Sequence, residues 1–166
     1  MLLKSPLLIG IGTRIRKSPY FNSTIKYGVK GFTIYNKMYL PTGFSSPVEE
    51  YLSLINDVTF GDFAAERQVE VSGPDAFDFI KYINPRNLSK CDIGDCKYIV
   101  LTDSNGCIIN DACLIRLEDD KFWVSPGDGD VLLWLQGIAM HSGMNVNICE
   151  PDVSPLQISG PKAGRL

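Results

Sequence analysis

The stretch KYIVLTDSNGCIINDACLIRL, residues 97–117, decides the fold that the sequence predicts. Residues 97–102 and 107–117 are rich in apolar and β-branched side chains, which favour strands. Between them, the pair Asn105 and Gly106 tolerates the positive φ angles that a tight hairpin turn requires. The stretch therefore predicts two antiparallel strands joined by a short turn.

Other predicted elements lie on both sides of this hairpin. A polar turn at residues 118–120 and a strand at 121–124 extend the hairpin into an antiparallel meander. Further strands are predicted at residues 32–40, 67–71, 146–149 and 155–159. Helices are predicted at residues 47–57, 74–83 and 131–140, each with a proline or an acidic residue near its start. The chain is therefore predicted to be an α+β domain with a mainly antiparallel sheet and packed helices.

Two of these helices carry informative apolar patterns. The helix at residues 47–57 places several apolar side chains on one face, namely those of Val48, Tyr51, Leu52 and Ile55. The helix at residues 131–140 is apolar on nearly every side. We therefore expect this second helix to be buried, with Asp128 or Asp130 capping its start.

The sequence also contains a short internal repeat. VEVSGPDA at residues 69–76 returns as LQISGPKA at residues 156–163, so that Gly73 and Gly160 lie 87 positions apart. In the first copy the strand and turn lead into a helix, because proline suits an early helical position. The second copy has only three residues after Ala163. A chance match is the alternative, but we interpret the repeat as a duplicated unit cut off in its second copy, which makes the chain the front part of a longer protein.

The composition argues against several classes of protein. The chain has 166 residues, 45% hydrophobic and 21% charged, which is typical of a globular domain and not of a disordered one. The net charge of −3 argues against a basic, nucleic-acid-binding face. The single histidine, His141, excludes metal sites built on two or three histidines.

The cysteines and the hydropathy indicate the compartment. Five cysteines form no CxxC pair, which indicates reduced thiols in a cytoplasmic protein and argues against a zinc site. The apolar stretch MLLKSPLLIGIG at residues 1–12 is short and broken by proline, unlike a signal peptide. No stretch approaches the ~20 apolar residues of a membrane span.

Asp111 is the residue with the clearest chemical interest. It lies inside a strongly apolar strand, where a carboxylate must be paired, be protonated or line a cavity, unless it is exposed at an edge of the sheet. The adjacent Glu66 and Arg67 indicate a structural ion pair. The acidic loop at residues 125–130 lacks the spacing of a calcium site, so helix capping is its better interpretation. The residues by themselves predict an α+β domain with a candidate acidic site at Asp111.

Several segments together resemble the folate-dependent aminomethyltransferase family, which includes the glycine-cleavage T-protein. The segments that carry the resemblance are GDF at 61–63, VSGPDA at 71–76, the strand with Tyr98, NGCIIND at 105–111 and ISGP at 158–161. Others are similar to the dimethylsulfoniopropionate demethylase branch of the family: YNKMYLP at 35–41, AERQV at 65–69, NPRNLS at 84–89, CKY at 96–98, DVLLW at 130–134 and EPDVSP at 150–155.

The resemblance implies a protein that binds tetrahydrofolate in a central channel of a three-domain body. Residues 1–31 are then an N-terminal arm, and residues 32–166 are the N-terminal part of the folate-binding domain, truncated at its C-terminus. Asp111 matches the family's carboxylate beside the reactive N5 of the pterin. Tyr98 matches a position that lines the pocket, and Ser125 falls on a neighbouring strand end that can contribute to it.

The same resemblance implies a reaction. Asn110 stands where the T-protein has the first acid of an Asp-Asp pair, which argues against ordinary glycine-cleavage activity. The implied function is transfer of a methyl group from dimethylsulfoniopropionate, a small-molecule donor, to N5 of tetrahydrofolate by the full-length protein, with the 166 residues alone inactive. The alternatives are a T-protein-like aminomethyltransferase, a folate-binding relative without catalysis, and an interaction domain that keeps only the fold. No nucleic-acid or membrane partner is expected, and the oligomeric state stays open, a homo-oligomer included.

Overall fold

The structure, a computed structural model, describes residues 12–166. It divides into two compact units, the first made of residues up to 65 together with 154–166 and the second of residues 66–153. Helices and antiparallel strands occur in both units, which confirms the predicted α+β class. Of the predicted N-terminal arm and its apolar stretch, residues 1–11 lie outside the described residues. No helix in the described part of the chain is long and apolar enough to cross a membrane.

The elements follow one another in the order α1, β1, β2, α2, β3, β4, α3, β5, β6, β7, α4, β8, β9. The helices are α1 (Phe21–Lys26), α2 (Pro47–Asn56), α3 (Ala76–Ile83) and α4 (Val131–Ser142). The strands are β1 (Gly31–Tyr35), β2 (Met38–Gly43), β3 (Thr59–Asp62), β4 (Val69–Ser72), β5 (Cys96–Thr102), β6 (Ile108–Glu118), β7 (Lys121–Pro126), β8 (Asn147–Cys149) and β9 (Leu156–Ser159). A 3₁₀ turn at Ala163–Arg165 follows β9.

The first unit contains two ladders, β1 with β2 and β3 with β9, both antiparallel. The prediction of a single strand at residues 32–40 is wrong, because the chain reverses at Asn36 and Lys37, whose φ angles are 49° and 61°. Asparagine tolerates this left-handed conformation, and the apolar pattern is the same for one long strand as for a tight hairpin. The sequence also did not predict β3, which is short and contains Gly61.

The predicted helix at α2 is confirmed in its position. Ser46 caps it with a full capping box, in which its side chain accepts from the Glu49 backbone N–H and the Glu49 side chain accepts from the Ser46 backbone N–H. Pro47 occupies the first turn, as its fixed φ favours. No residue of α2 is buried, so its apolar side chains remain exposed.

The second unit is built on a five-stranded antiparallel sheet with the order β5-β6-β7-β4-β8. The first three strands are the predicted meander, which is therefore confirmed. One face of the sheet packs under α3 and α4 in a single apolar core, in which Phe79, Leu114 and Phe122 are fully buried. Because side chains alternate along a strand, every second residue points to the other face, which carries no helix of this unit.

The prediction that α4 is buried holds for the side that faces the sheet and is wrong for its outer side. Val131 and Leu135 lie in the core, whereas Leu133 and Met140 are exposed. A helix that lies on one face of a sheet buries only the stripe that contacts the sheet, whatever its outer residues are. Asp130 is the N-cap residue of α4, but its side chain does not make the predicted capping hydrogen bond.

Candidate functional site

The open face of the five-stranded sheet brings the three predicted site residues onto one surface. In the strand register, Tyr98 on β5 lies opposite Cys113 on β6, and Cys113 lies opposite Ser125 on β7. Asp111 is two residues before Cys113 and so points to the same side. Opposite partners share a face, so Tyr98, Asp111 and Ser125 all project from the side away from the core.

Among the hydrogen bonds of the described residues, one joins two of these three side chains, namely Tyr98 and Asp111. The Tyr98 hydroxyl donates to Asp111 Oδ2 at 2.7 Å. The Tyr98 side chain is 54% exposed, and Asp111 is exposed as well. The Asp111 carboxylate is therefore paired, as one of the predicted alternatives required. It is also exposed, but on the open face of an interior strand and not at an edge of the sheet.

The hydrogen bond keeps the Tyr98 hydroxyl neutral beside the Asp111 carboxylate. Donation to the carboxylate, with the nearby negative charge as a further cause, raises the pKa of Tyr98 above its ordinary value. The phenol therefore stays neutral and remains a donor. An ionised carboxylate can accept about four hydrogen bonds, of which Tyr98 supplies one. The pair thus presents an oriented acceptor and negative charge to whatever binds on this face.

Asn110 braces the backbone beside Asp111. Its side-chain oxygen accepts from the backbone N–H of Asp111 at 2.8 Å, and its amide donates to the backbone carbonyl of Asp128. Gly129 adopts a φ of 92°, and a Cβ on it would lie 2.8 Å from the Asn110 amide nitrogen. Sequence reasoning treated Asn110 only as the replacement of an acid, whereas the structure shows that it ties the start of β6 to the loop after β7.

Ser125 belongs to a second polar group, centred on Gln68. The Gln68 amide donates to Ser125 Oγ at 2.9 Å and to the backbone carbonyl of Glu66 at 3.0 Å. Gln68 is 6% exposed, and its Oε1 is a buried acceptor with no hydrogen-bond partner among the described residues. Sequence reasoning missed Gln68. The available signal was a long polar side chain at the start of an apolar strand.

The predicted ion pair between Glu66 and Arg67 does not form. Arg67 instead pairs with Glu150. The chain bends at Glu66 before β4 begins at Val69, so adjacency in the sequence does not bring the two charged groups together. Burial raises the pKa of Glu66, which favours its protonated form. Burial likewise raises the pKa of the Cys113 thiol, and its neighbour Cys96 acts in the same direction.

The two polar groups suit a heterocycle that carries hydrogen-bond donors. Gln68 Oε1 is an acceptor that the described residues leave unsatisfied, and such a buried group costs about 1–3 kcal/mol unless a donor pairs with it. Asp111 adds a second, charged acceptor, and Tyr98 adds an aromatic ring on the same face. A ligand ring with several N–H donors fits this set of groups.

Comparison with known proteins assigns the chain to a family. The family model of the GCVT N-terminal domain matches residues 21–166. The dimethylsulfoniopropionate demethylase DmdA of Ruegeria pomeroyi is 41% identical over 153 residues, which cover 92% of this chain and 42% of that protein. An aminomethyltransferase of Corynebacterium jeikeium is 29% identical over 156 residues, which cover 92% of this chain and 40% of that protein.

A solved structure supports the fold independently. The glycine cleavage system aminomethyltransferase T from Bartonella henselae superimposes with a TM-score of 0.80 at 22% identity, covering 91% of this chain and 42% of that one. The chain spans about two fifths of the length of these relatives. In each of these relatives, the region that matches this chain is therefore less than half of the protein.

Proposed function

Since the chain belongs to the GCVT N-terminal domain family, we propose that it is part of a tetrahydrofolate-dependent one-carbon transferase. The observation that carries the proposal is the Tyr98–Asp111 pair, an exposed and oriented carboxylate on the open face of the sheet. In this proposal residues 32–166 are the N-terminal part of the folate-binding domain, and the complete activity belongs to a longer protein. A cytoplasmic location is part of the proposal, because the five cysteines form no CxxC pair.

Two observations favour a methyl donor over an aminomethyl donor. The demethylase relative is 41% identical, against 29% for the aminomethyltransferase of Corynebacterium jeikeium. The resemblance implies that Asn110 stands where the T-protein has an acid, and in the structure its neutral side chain acts as a backbone brace. We therefore propose dimethylsulfoniopropionate as the donor. The partner of the site is then a small molecule, with neither nucleic acid nor membrane involved.

The residues of the chain then have defined roles. When bound, tetrahydrofolate would supply N5 as the methyl acceptor; the neutral thioether would be the leaving group, and N5 would release its proton. Asp111 accepts a hydrogen bond from the ligand and offsets positive charge that develops beside it. Tyr98 orients that carboxylate, and Gln68 offers its unpaired acceptor to a donor of the ring. The transfer requires positioning more than proton chemistry, which agrees with a site without histidine.

The test uses the longer protein that carries this chain. Asp111→Ala should lower kcat for methyl transfer from dimethylsulfoniopropionate to tetrahydrofolate by about tenfold or more, because it removes an interaction that strengthens in the transition state. Asp119→Ala is the matched control, since Asp119 is an exposed carboxylate on a turn, paired with Arg116. An unchanged kcat in Asp111→Ala would refute the role of the carboxylate.

The choice of donor is tested separately on the unaltered protein. Methyl transfer from dimethylsulfoniopropionate is expected, without transfer from an aminomethyl donor. Transfer from the aminomethyl donor alone would assign the T-protein-like activity instead. Folate binding without transfer from either donor would assign a non-catalytic relative.

A further inference from the structure

The β3–β9 ladder of the first unit exposes an apolar face. Phe60 is 64% exposed, Leu156 is 40% exposed and Ile158 is 47% exposed. Phe60 lies opposite Ile158 in the register, and Leu156 is two residues before Ile158 on the same strand. All three side chains therefore project from one side of the ladder, which we term the open β3–β9 face.

The second unit contains the same arrangement with its face covered. The internal repeat aligns β9 with β4, so that Leu156 corresponds to Val69 and Ile158 to Val71. Val71 lies opposite Ile148 on β8, just as Ile158 lies opposite Phe60 on β3. The exposed fractions of Val69, Val71 and Ile148 are 3%, 0% and 8%.

The backbone confirms that the repeat is a structural one. Gly73 and Gly160 have φ angles of 122° and 121°, and each turn is closed by a hydrogen bond to the glycine carbonyl from the N–H three residues later. A Cβ on Gly73 would meet the carbonyl oxygen of Asn145, and a Cβ on Gly160 would meet that of Asp57. Asn145 and Asp57 occupy equivalent places before β8 and β3, so the strand that approaches the turn is also the same in both copies. A chance sequence match does not explain this agreement.

The difference between the copies is the helix after the turn. In the second unit α3 begins at Ala76 and buries Phe79, Ile80 and Ile83, each at most 3% exposed, over the equivalent of the open β3–β9 face. In the first unit a single 3₁₀ turn follows, and Leu166, at the position equivalent to Phe79, is 82% exposed.

We propose that the open β3–β9 face binds an amphipathic α-helix that begins at Ala163 and continues past Leu166 in a longer form of this chain. The turn at Gly160 already has the geometry that starts α3 in the other copy, and the chain spans only about two fifths of its relatives. The helix packs as α3 does, which requires apolar residues at positions 167 and 170, the equivalents of Ile80 and Ile83. The proposal does not depend on the folate chemistry.

The exposed apolar side chains of α2 fit the same proposal. α2 precedes β3 as α4 precedes β8, and α4 buries Val131 and Leu135 in the core that α3 completes. Leu52 and Ile55 on α2 are 48% and 47% exposed. We infer that they become buried when the continuing helix completes the first unit.

The experiment appends to Leu166 a copy of residues 80–88, of which residues 80–83 complete α3 in the second unit and residues 84–88 follow it. The control extension is the same segment with aspartate at positions 167 and 170. Hydrogen exchange of the amides in β3 and β9, and the fluorescence of a dye that binds exposed apolar surface, are compared for the two extended chains and the chain without an extension. The apolar extension should slow exchange by about tenfold or more and lower the dye fluorescence, whereas the control extension should do neither.

A point variant localises the effect within the chain that carries the apolar extension. Ile158→Asp should abolish the protection of β3 and β9, because it places a charge on the open β3–β9 face. Gln157→Asp, on the opposite side of the same strand, should leave the protection intact. Equal exchange in the two extended chains would overturn the proposal. The proposal would also be overturned if the protection of β3 and β9 increased with protein concentration and were the same with and without the extension. A second copy of the chain would then cover the face.

Discussion

Replacing Gly73 with alanine should destabilise the second unit by about 2–4 kcal/mol. Gly73 has a φ of 122°, a region that residues with a side chain rarely adopt, and holding alanine there costs about 1–3 kcal/mol. The new Cβ would also lie 2.7 Å from the carbonyl oxygen of Asn145 and 3.3 Å from Val146 Cα. These are backbone atoms that cannot rotate away, so the overlap adds about 1–3 kcal/mol. The smaller entropy of the unfolded alanine chain offsets only about 0.4–1 kcal/mol.

Two further glycines separate the contributions. Gly106 has a φ of 79°, and a Cβ on it would have nothing within 4 Å, so Gly106→Ala carries the conformational cost alone, about 1 kcal/mol. Gly137 lies within α4, where a Cβ would also have nothing within 4 Å. Gly137→Ala should therefore stabilise the unit by about 0.5–1 kcal/mol, because alanine favours the helix.

The assay is urea unfolding followed by tryptophan fluorescence. Both tryptophans, Trp123 and Trp134, belong to the second unit, so the signal reports on the part of the chain that contains all three glycines. The free energy of unfolding should fall most for Gly73→Ala, less for Gly106→Ala, and rise for Gly137→Ala. Equal values for the first two variants, within about 0.5 kcal/mol, would refute the argument from close backbone approach.

Two more predictions concern the charge of the site and the completeness of the chain. Because Tyr98 donates to Asp111, its pKa is raised, and the stabilisation from this bond is fully present below the ordinary tyrosine pKa and is lost as pH rises through the raised value. In a tyrosine absorbance titration Asp111→Asn should shift one tyrosine to lower pH, and an unchanged curve would contradict the assigned bond. The chain of 166 residues alone should unfold over a broad range in calorimetry, because the first unit is incomplete and unfolds apart from the cooperative transition of the second, and it should bind folate weakly. A single sharp transition with micromolar folate affinity would contradict this expectation.

Local chemistry made much of the fold predictable. The meander of β5, β6 and β7 follows from strand-forming residues and an Asn-Gly turn, both of which act over a few residues. The capped start of α2 at Pro47 is local in the same way. The turn at Asn36 and the short strand β3 were missed, because neither is marked by a change in apolar pattern.

The candidate site was only partly predictable. Asp111 stands out because a carboxylate in an apolar strand needs an explanation, whereas the roles of Asp111, Tyr98 and Ser125 come from the family resemblance and stay predictions. Gln68 as the partner of Ser125, and Glu150 as the partner of Arg67, could not be predicted. Each pair joins residues more than fifty positions apart, and no local pattern records such a contact.

The sequence by itself determined the hairpin, the α+β class, the repeated Ser-Gly-Pro turn and the unusual position of Asp111. The alternation of apolar and polar residues along a strand predicts that the strand has two faces, but it does not predict which element covers each face. That was decided only by the tertiary structure, in which α3 and α4 cover one face of the large sheet and leave Tyr98 and Asp111 exposed on the other. The same physics leaves Phe60 and Ile158 exposed while Val71 and Ile148 are buried. Burial depends on which element packs above a side chain, and that element can lie far along the chain.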